Sequence, residues 1–288
     1  MKLADLKLGI YERALPISAA WPQKLEMAER LGFQFIELSI DESDERLGRL
    51  EWSARERCNF RRQMEDSGIA VSSMCLSGHR RFPLGSHDGA VRERARVMMK
   101  QAIELAVDTG IRTILLAGYD VYYEESTEQT REWFVEGLRE ALRLAARENV
   151  MLAVETMDTR LLSSITRFLN LKRCLEGLWF GVYPDLGNLS AWGYDVEQEL
   201  ELGREYIAAI HVKDALRVTD NFPGKFRDVP FGEGCVDFPR IFNALYRLDY
   251  TGPFLIEMWC GNEVNPEQKI AAARDWVIER MREGGYVD

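Results

Sequence analysis

Four short apolar runs in the second half of the chain each stop on a residue able to bind a metal ion. Glu155 follows Met151-Leu-Ala-Val154, Asp185 follows the run from Trp179 to Pro184, His211 follows Ala208-Ala-Ile210, and Glu257 follows Phe254-Leu-Ile256. Three carboxylates and one imidazole, with no thiolate, suit a hard or borderline divalent ion such as Zn, Mn, Co or Mg. An ion held in this way with open coordination positions would chelate neighbouring oxygens of a sugar, or polarise a phosphate or carbonyl. The proton on a carbon next to a ketone can be removed only if the resulting enediolate is stabilised, and a metal at the carbonyl and hydroxyl oxygens supplies that stabilisation. Two glutamates approaching from different sides would let one remove the proton and the other return it to the opposite face, giving the epimer.

The elements that must bring these residues together are strands. A run of about four to eight apolar residues bounded by polar or Gly/Pro signals reads as a strand buried on both faces. Eight such runs are present, at 6–10, 33–40, 70–76, 113–117, 150–155, 178–184, 207–212 and 253–258, each followed by an amphipathic or helical stretch. Eight alternating units define an α/β chain folded as a single (β/α)8 TIM barrel over 1–288. In that fold the C-terminal ends of parallel strands meet at one mouth. Glu155 and Glu257 would then stand on strands three apart around the ring. Ser53-Ala-Arg-Glu56 and Thr127-Glu-Gln-Thr130 open like capped helices, and Gly32, Gly68 and Gly110 sit where helices should end before the next strand. Between the seventh and eighth strands a longer loop at about 215–234, rich in Gly, Pro and charge, falls on the catalytic side. An open doubly wound sheet is the rival architecture. It would usually advertise a nucleotide, yet the chain has neither G-x-G-x-x-G after its first strand nor a G-x-x-x-x-G-K-[ST] loop.

Composition narrows the function classes. The 288 residues match one barrel domain, for which roughly 250 is typical. Hydrophobic residues make up 46 %, without an apolar stretch near the 18 or so needed to cross a bilayer, so no membrane is expected as a partner. The segment Met1 to Gly9 carries an Asp and two Lys and lacks the uninterrupted apolar region of a signal peptide, which points to the cytoplasm. Five cysteines, odd in number and without a C-x-x-C pair, argue against both a disulfide framework and a zinc ribbon. A formal charge of −10 disfavours nucleic acid as a partner.

Each residue also has a plainer reading. His211 alone could be a satisfied core histidine, and Glu155 or Glu257 could pair with an arginine of the barrel. Asp185, within Tyr183-Pro-Asp-Leu-Gly-Asn188, could simply form a turn. His79, Arg80 and Arg81 in His79-Arg-Arg-Phe-Pro83 are either a solvated charge cluster or contacts to a substrate or phosphate. His87 looks like surface at the start of a helix.

Longer phrases carry a family resemblance. They are Leu8-Gly-Ile-Tyr-Glu12, Met74-Cys-Leu-Ser77 with His79-Arg-Arg-Phe-Pro-Leu-Gly85, Leu116-Ala-Gly-Tyr-Asp-Val-Tyr-Tyr123, Tyr183-Pro-Asp-Leu-Gly-Asn-Leu-Ser-Ala-Trp192, His211-Val-Lys-Asp214, Val229-Pro-Phe-Gly-Glu-Gly234 with Val236-Asp-Phe238, and Leu255-Ile-Glu-Met-Trp259. Through them the chain resembles, nearly end to end, the L-ribulose-5-phosphate (L-xylulose-5-phosphate) 3-epimerases of bacterial L-ascorbate and related sugar catabolism, within the xylose-isomerase-like barrels. The resemblance implies a divalent metal on Glu155, Asp185, His211 and Glu257, with the two glutamates doubling as the acid/base pair. It also implies a ketopentose phosphate as substrate and a homodimer. For the phosphate it points to Lys213 first, with Arg80, Arg81, Lys225 and Arg227 as further candidates.

Three other functions compete with this one. A 3-epimerase of a non-phosphorylated ketose would use the same chemistry. A metal-dependent phosphodiesterase on the same scaffold is disfavoured by the acidic charge and only three histidines. A non-catalytic metal or sugar binder would leave the paired glutamates without a purpose.

Overall fold

The computed structural model describes residues 2–175 and 177–287. Its eight strands are β1 (Leu8–Tyr11), β2 (Phe35–Ser39), β3 (Ala70–Cys75), β4 (Thr113–Leu116), β5 (Met151–Glu155), β6 (Phe180–Tyr183), β7 (Ile210–Val212) and β8 (Phe254–Ile256). All pair in parallel, in the order β6-β5-β4-β3-β2-β1-β8-β7. Isolated bridges Val182↔Ile207 and Asp185↔His211 join the two ends of that order, so the sheet is a nearly closed barrel.

Helices form the outer ring: α1 (Trp21–Arg30), α2 (Asp44–Leu47), α3 (Ala54–Ser67), α4 (Gly89–Thr109), α5 (Glu128–Arg147), α6 (Ile165–Lys172), α7 (Leu186–Ala191), α8 (Val196–Gly203), α9 (Phe238–Arg247) and α10 (Pro266–Glu283). The expected caps are made. Ser53 and Glu56 close a reciprocal capping box at the start of α3, and Thr127 accepts from Thr130 N at the start of α5. Gly68 and Gly110 end α3 and α4 in the left-handed conformation, where a side chain would be strained. Every expected strand is present; most are trimmed at their ends, and the first is shifted, running from Leu8 to Tyr11 rather than over 6–10. The seventh begins at Ile210 rather than 207, because the chain before it meets β6 only through the bridge at Ile207. The sixth begins at Phe180, leaving Leu178 exposed. No helix among the described residues is long and apolar enough to cross a membrane.

Alternation along the strands divides the core in two. Outward-facing side chains such as Ile10, Ile36, Leu38, Ile114, Val154 and Val182 pack under the helices. Inward-facing Tyr11, Phe35, Cys75, Leu115, Ala153, Tyr183, Ala209 and Leu255 fill the barrel. Gly9 is required here, because a Cβ at that position would lie 2.4 Å from the Phe35 ring. Successive side chains of a strand point to opposite faces, so the next inward position lies two residues on. From Phe35, Ala153, Tyr183, Ala209 and Leu255 that step reaches Glu37, Glu155, Asp185, His211 and Glu257. The polar side chains of the mouth therefore rest directly on the apolar filling of the barrel.

A second buried charge centre braces the β1 end of the mouth. Glu12 accepts from Lys24 Nζ at 2.8 Å, from Arg49 Nη1 and Nη2 at 2.6 and 2.8 Å, and from Ser39 N at 2.9 Å. Burial raises the pKa of this carboxyl, but Arg49 and Lys24 outweigh it and hold the group at about 2. One carboxylate thereby ties the end of β1 to α1, to the end of β2 and to the 3-10 turn that follows α2.

Candidate metal centre and catalytic cleft

Glu155 closes β5, Asp185 stands two residues past β6, His211 lies within β7 and Glu257 follows β8. All four are buried, and one donor atom from each lies within 4.8 Å of the others. His211 Nδ1 is 3.1 Å from Glu155 Oε1, 3.6 Å from Glu257 Oε2 and 3.9 Å from Asp185 Oδ2. Asp185 serves two purposes at once. Its Oδ1 accepts from Asn188 N at 2.7 Å and caps α7, as the turn reading of this residue required, while Oδ2 faces the cluster.

The cluster fits a divalent cation. Asp185 Oδ2 and Glu257 Oε2 are buried oxygens without a properly directed hydrogen bond. Lys213 Nζ stands at ion-pair distance from both, 2.8 and 3.0 Å. One ammonium and one imidazole face four buried carboxylates, Glu37 among them, and buried negative charge in such excess is costly without a further cation. Three oxygen donors and one nitrogen form a set that divalent ions accept.

The titration behaviour records the crowding. Burial pushes Glu155 and Asp185 above the ordinary carboxylate range, with Glu257 adding to both. Burial also opposes ionisation of Glu257, but Lys213 and His211 outweigh it and hold that group low. For His211, burial disfavours the cation, yet Glu257 and Glu37 prevail and raise its pKa. Lys213 is raised in the same way, with Asp185 and Glu257 overcoming burial.

A cleft of about 370 Å³ opens above the cluster, and Glu155, Lys213, Glu257, Tyr11, Arg13, Arg80, Arg227 and Trp259 are among the residues that line it. The candidate phosphate contacts separate cleanly. Lys213 lies inside the ligand cluster instead of a separate anion pocket, because it occupies the next inward position after His211. Arg80 and Arg227 line the cleft and form no ion pair among the described residues. The Arg80 guanidinium stacks 4.6 Å from the Tyr122 ring centroid, with its buried Nε unpartnered, and Arg227 lies 5.2 Å from the Trp259 ring. Arg81 is not brought to the cleft, since Asp44 Oδ1 holds its Nη1 at 2.6 Å. Lys225 donates to Asp228 O at 2.8 Å on the exposed loop. His79 is buried beside α4, where burial pushes its pKa down to about 4, and it does not line the cleft.

The loop after β7 is organised by Asp214. Its carboxylate accepts from the backbone N–H groups of Ala215, Gly232, Gly234 and Val236 at 2.9 to 3.4 Å. Backbone bonds between Leu216 and Lys225 form a small hairpin, and Phe226 packs 5.8 Å from Trp192. That arrangement delivers Phe226 and Arg227 to the cleft.

Glu37 escaped the reading of the sequence. It lies mid-strand in β2, fully buried, with Oε1 3.1 Å from His211 Nε2. The available signal was a lone carboxylate two residues after the inward-facing Phe35, in a mostly apolar run.

An eight-stranded parallel barrel with acidic and imidazole donors at its strand ends defines a class, the xylose isomerase-like barrels, and the family profile described as "Xylose isomerase-like TIM barrel" matches residues 25–280. The L-ribulose-5-phosphate 3-epimerase UlaE of Escherichia coli O157:H7 (strain EC4115 / EHEC) is 50 % identical over 284 residues, covering 99 % of this chain and 98 % of that protein. The Escherichia coli (strain K12) protein named "Putative L-ribulose-5-phosphate 3-epimerase SgbU" is 56 % identical over 281 residues, 98 % of each chain. The chain belongs to this L-ribulose-5-phosphate 3-epimerase family of xylose isomerase-like barrels. Among solved structures, an L-ribulose 3-epimerase superposes with a TM-score of 0.77 at 18 % identity, covering 97 % of this chain and 95 % of that one, a likeness of fold.

Proposed function

We propose that the protein interconverts L-ribulose 5-phosphate and L-xylulose 5-phosphate by inverting C3. One observation carries the reading: Glu155 and Glu257, from strands three apart, converge on one buried cluster beneath a cleft, in a chain half identical over its length to proteins named L-ribulose-5-phosphate 3-epimerases. A divalent ion on Glu155, Asp185, His211 and Glu257, with Zn, Mn, Co and Mg all compatible with the donors, supplies Lewis-acid stabilisation of negative charge developing on substrate oxygen. One glutamate takes the C3 proton, and the C–H electron pair moves toward the C2 carbonyl to give an enediolate. The other glutamate, protonated, delivers its proton to the opposite face of C3 and restores the ketone. The Lys213 ammonium, beside both Asp185 and Glu257, adds fixed positive charge where the enediolate oxygens form. Tyr11 and Trp259 wall the cleft and limit access of water. A cytoplasmic location completes the proposal, together with a homodimer that rests on the family resemblance alone.

Arg80 and Arg227 are the phosphate contacts in this reading, because they are the basic candidates that line the cleft without a carboxylate partner of their own. Arg80→Met is expected to lower kcat/KM for L-ribulose 5-phosphate by about 10- to 100-fold, mainly through KM, as the loss of one charge-assisted contact implies. Unphosphorylated L-ribulose should respond little. Steady-state kinetics on both sugars tests this. Equal use of the two by the unaltered protein would move the substrate to a free ketose.

A further inference from the structure

The mechanism leaves Glu37 without a role, although this buried carboxylate stands 3.1 Å from a candidate ligand, His211. It has no exposed surface. Its Oε2 accepts from Ser73 Oγ at 2.8 Å and from Tyr183 Oη at 3.2 Å, and its Oε1 meets His211 Nε2 at 3.1 Å. Ser73 and Tyr183 are neutral donors, so the imidazole N–H is the group on Glu37 that can carry positive charge. The two ring nitrogens of His211 face different surroundings. Nδ1 looks onto Glu155, Asp185 and Glu257, whereas Nε2 meets Glu37 alone. The Tyr183 ring, with its centroid 4.5 Å from that of His211, packs against the imidazole and restricts its rotation.

We propose that Glu37 is a positioning residue that keeps the proton of His211 on Nε2 and thereby presents Nδ1 as the donor to a divalent ion. Ser73 and Tyr183 fix the rotation of the Glu37 carboxylate, and that carboxylate fixes the tautomer and tilt of the ring. Ligating histidines held in this way bind metal more tightly, because the carboxylate raises the basicity of the donor nitrogen. A glutamine at this position cannot accept from Ser73, Tyr183 and His211 as the carboxylate does. With its carbonyl toward the hydroxyls it would turn its NH2 toward Nε2, and the histidine proton would move to the ligand nitrogen.

The inference rests on the reading that the cluster holds a divalent ion, but not on which sugar is bound. The test is Co²⁺ titration of the full chain and of Glu37→Gln, followed by its visible absorption, with Ser73→Ala as a variant that perturbs Glu37 without touching His211. Glu37→Gln should raise the Co²⁺ Kd by about 10- to 100-fold, and Ser73→Ala by less than about threefold. In parallel, nitrogen NMR of the Zn²⁺-loaded protein reports the tautomer, and with only three histidines in the chain the signals can be assigned by substitution. The expected spectrum has the proton of His211 on Nε2. A folded Glu37→Gln that binds Co²⁺ as tightly as the parent, or a loaded parent with its proton on Nδ1, overturns the proposal. If Glu37→Gln does not fold, the tautomer in the parent decides alone. A parent that binds no Co²⁺ overturns the metal reading and this inference with it.

Discussion

Glu257→Gln is expected to slow interconversion of the two pentulose phosphates by at least about 10³-fold, and Glu155→Gln by a similar factor, within the range that a positioned acid or base contributes. Such a loss corresponds to about 4 kcal/mol of transition-state stabilisation. The two variants should also differ from each other. If each glutamate serves one face of C3, then each variant retains solvent exchange of the C3 proton from one epimer and loses it from the other. Proton exchange from both epimers in both variants, followed by NMR in deuterated water, reads this directly. Metal content must be measured alongside, because both residues are also candidate ligands. A variant that keeps its ion and still interconverts at a tenth of the parental rate or better would remove that glutamate from the acid/base pair.

Glu12→Gln is expected to cost about 3–5 kcal/mol of stability, since it leaves Lys24 and Arg49 buried without their counter-charge. The pH dependence has a defined sign. The folded-state pKa of about 2 lies below the ordinary 4.5, so the contribution of Glu12 is fully present above about pH 4.5 and is lost as pH falls toward 2. A shift of that size is worth about 3 kcal/mol. Urea denaturation of parent and variant should therefore show a large gap at neutral pH that narrows through the acid range. The exposed pair Arg30 and Glu267 is a useful contrast, because solvent screens it and its removal should change stability little. A gap that persists unchanged below pH 3 would mean that the loss in Glu12→Gln comes from packing rather than charge.

Strand positions and metal candidates were legible because the same physics writes both. A strand buried on two faces must be apolar along its length, so each of the eight stands out, and a charged residue at its end is conspicuous. The same periodicity carries information that end-of-strand reasoning overlooks. Glu37 is inward-facing like Phe35, and Lys213 is inward-facing like His211, so both belong to the mouth by alternation. Looking only at strand ends passed over Glu37, and it was the family resemblance that offered Lys213 for a phosphate, whereas its Nζ stands on Asp185 and Glu257. Basic residues on loops are harder to read, since their availability depends on partners far away in the chain. Arg81 is held by Asp44 while its neighbour Arg80 stacks on Tyr122, and nothing in the segment from His79 to Pro83 separates them. His79 belongs to the same segment but is drawn under α4 by packing. The loop at 215–234 was visible as a loop, whereas its anchoring by Asp214 depends on backbone N–H groups converging from Ala215 to Val236, which composition does not reveal.

The most direct test of the central claim follows the C3 proton of L-ribulose 5-phosphate in deuterated water, by NMR, with the metal-supplemented protein. The account predicts that the C3 signal disappears as L-xylulose 5-phosphate carrying deuterium at C3 appears, and that a chelator stops both. Formation of the epimer with its original C3 proton retained, or no change at C3 with fully metal-loaded protein, would contradict it.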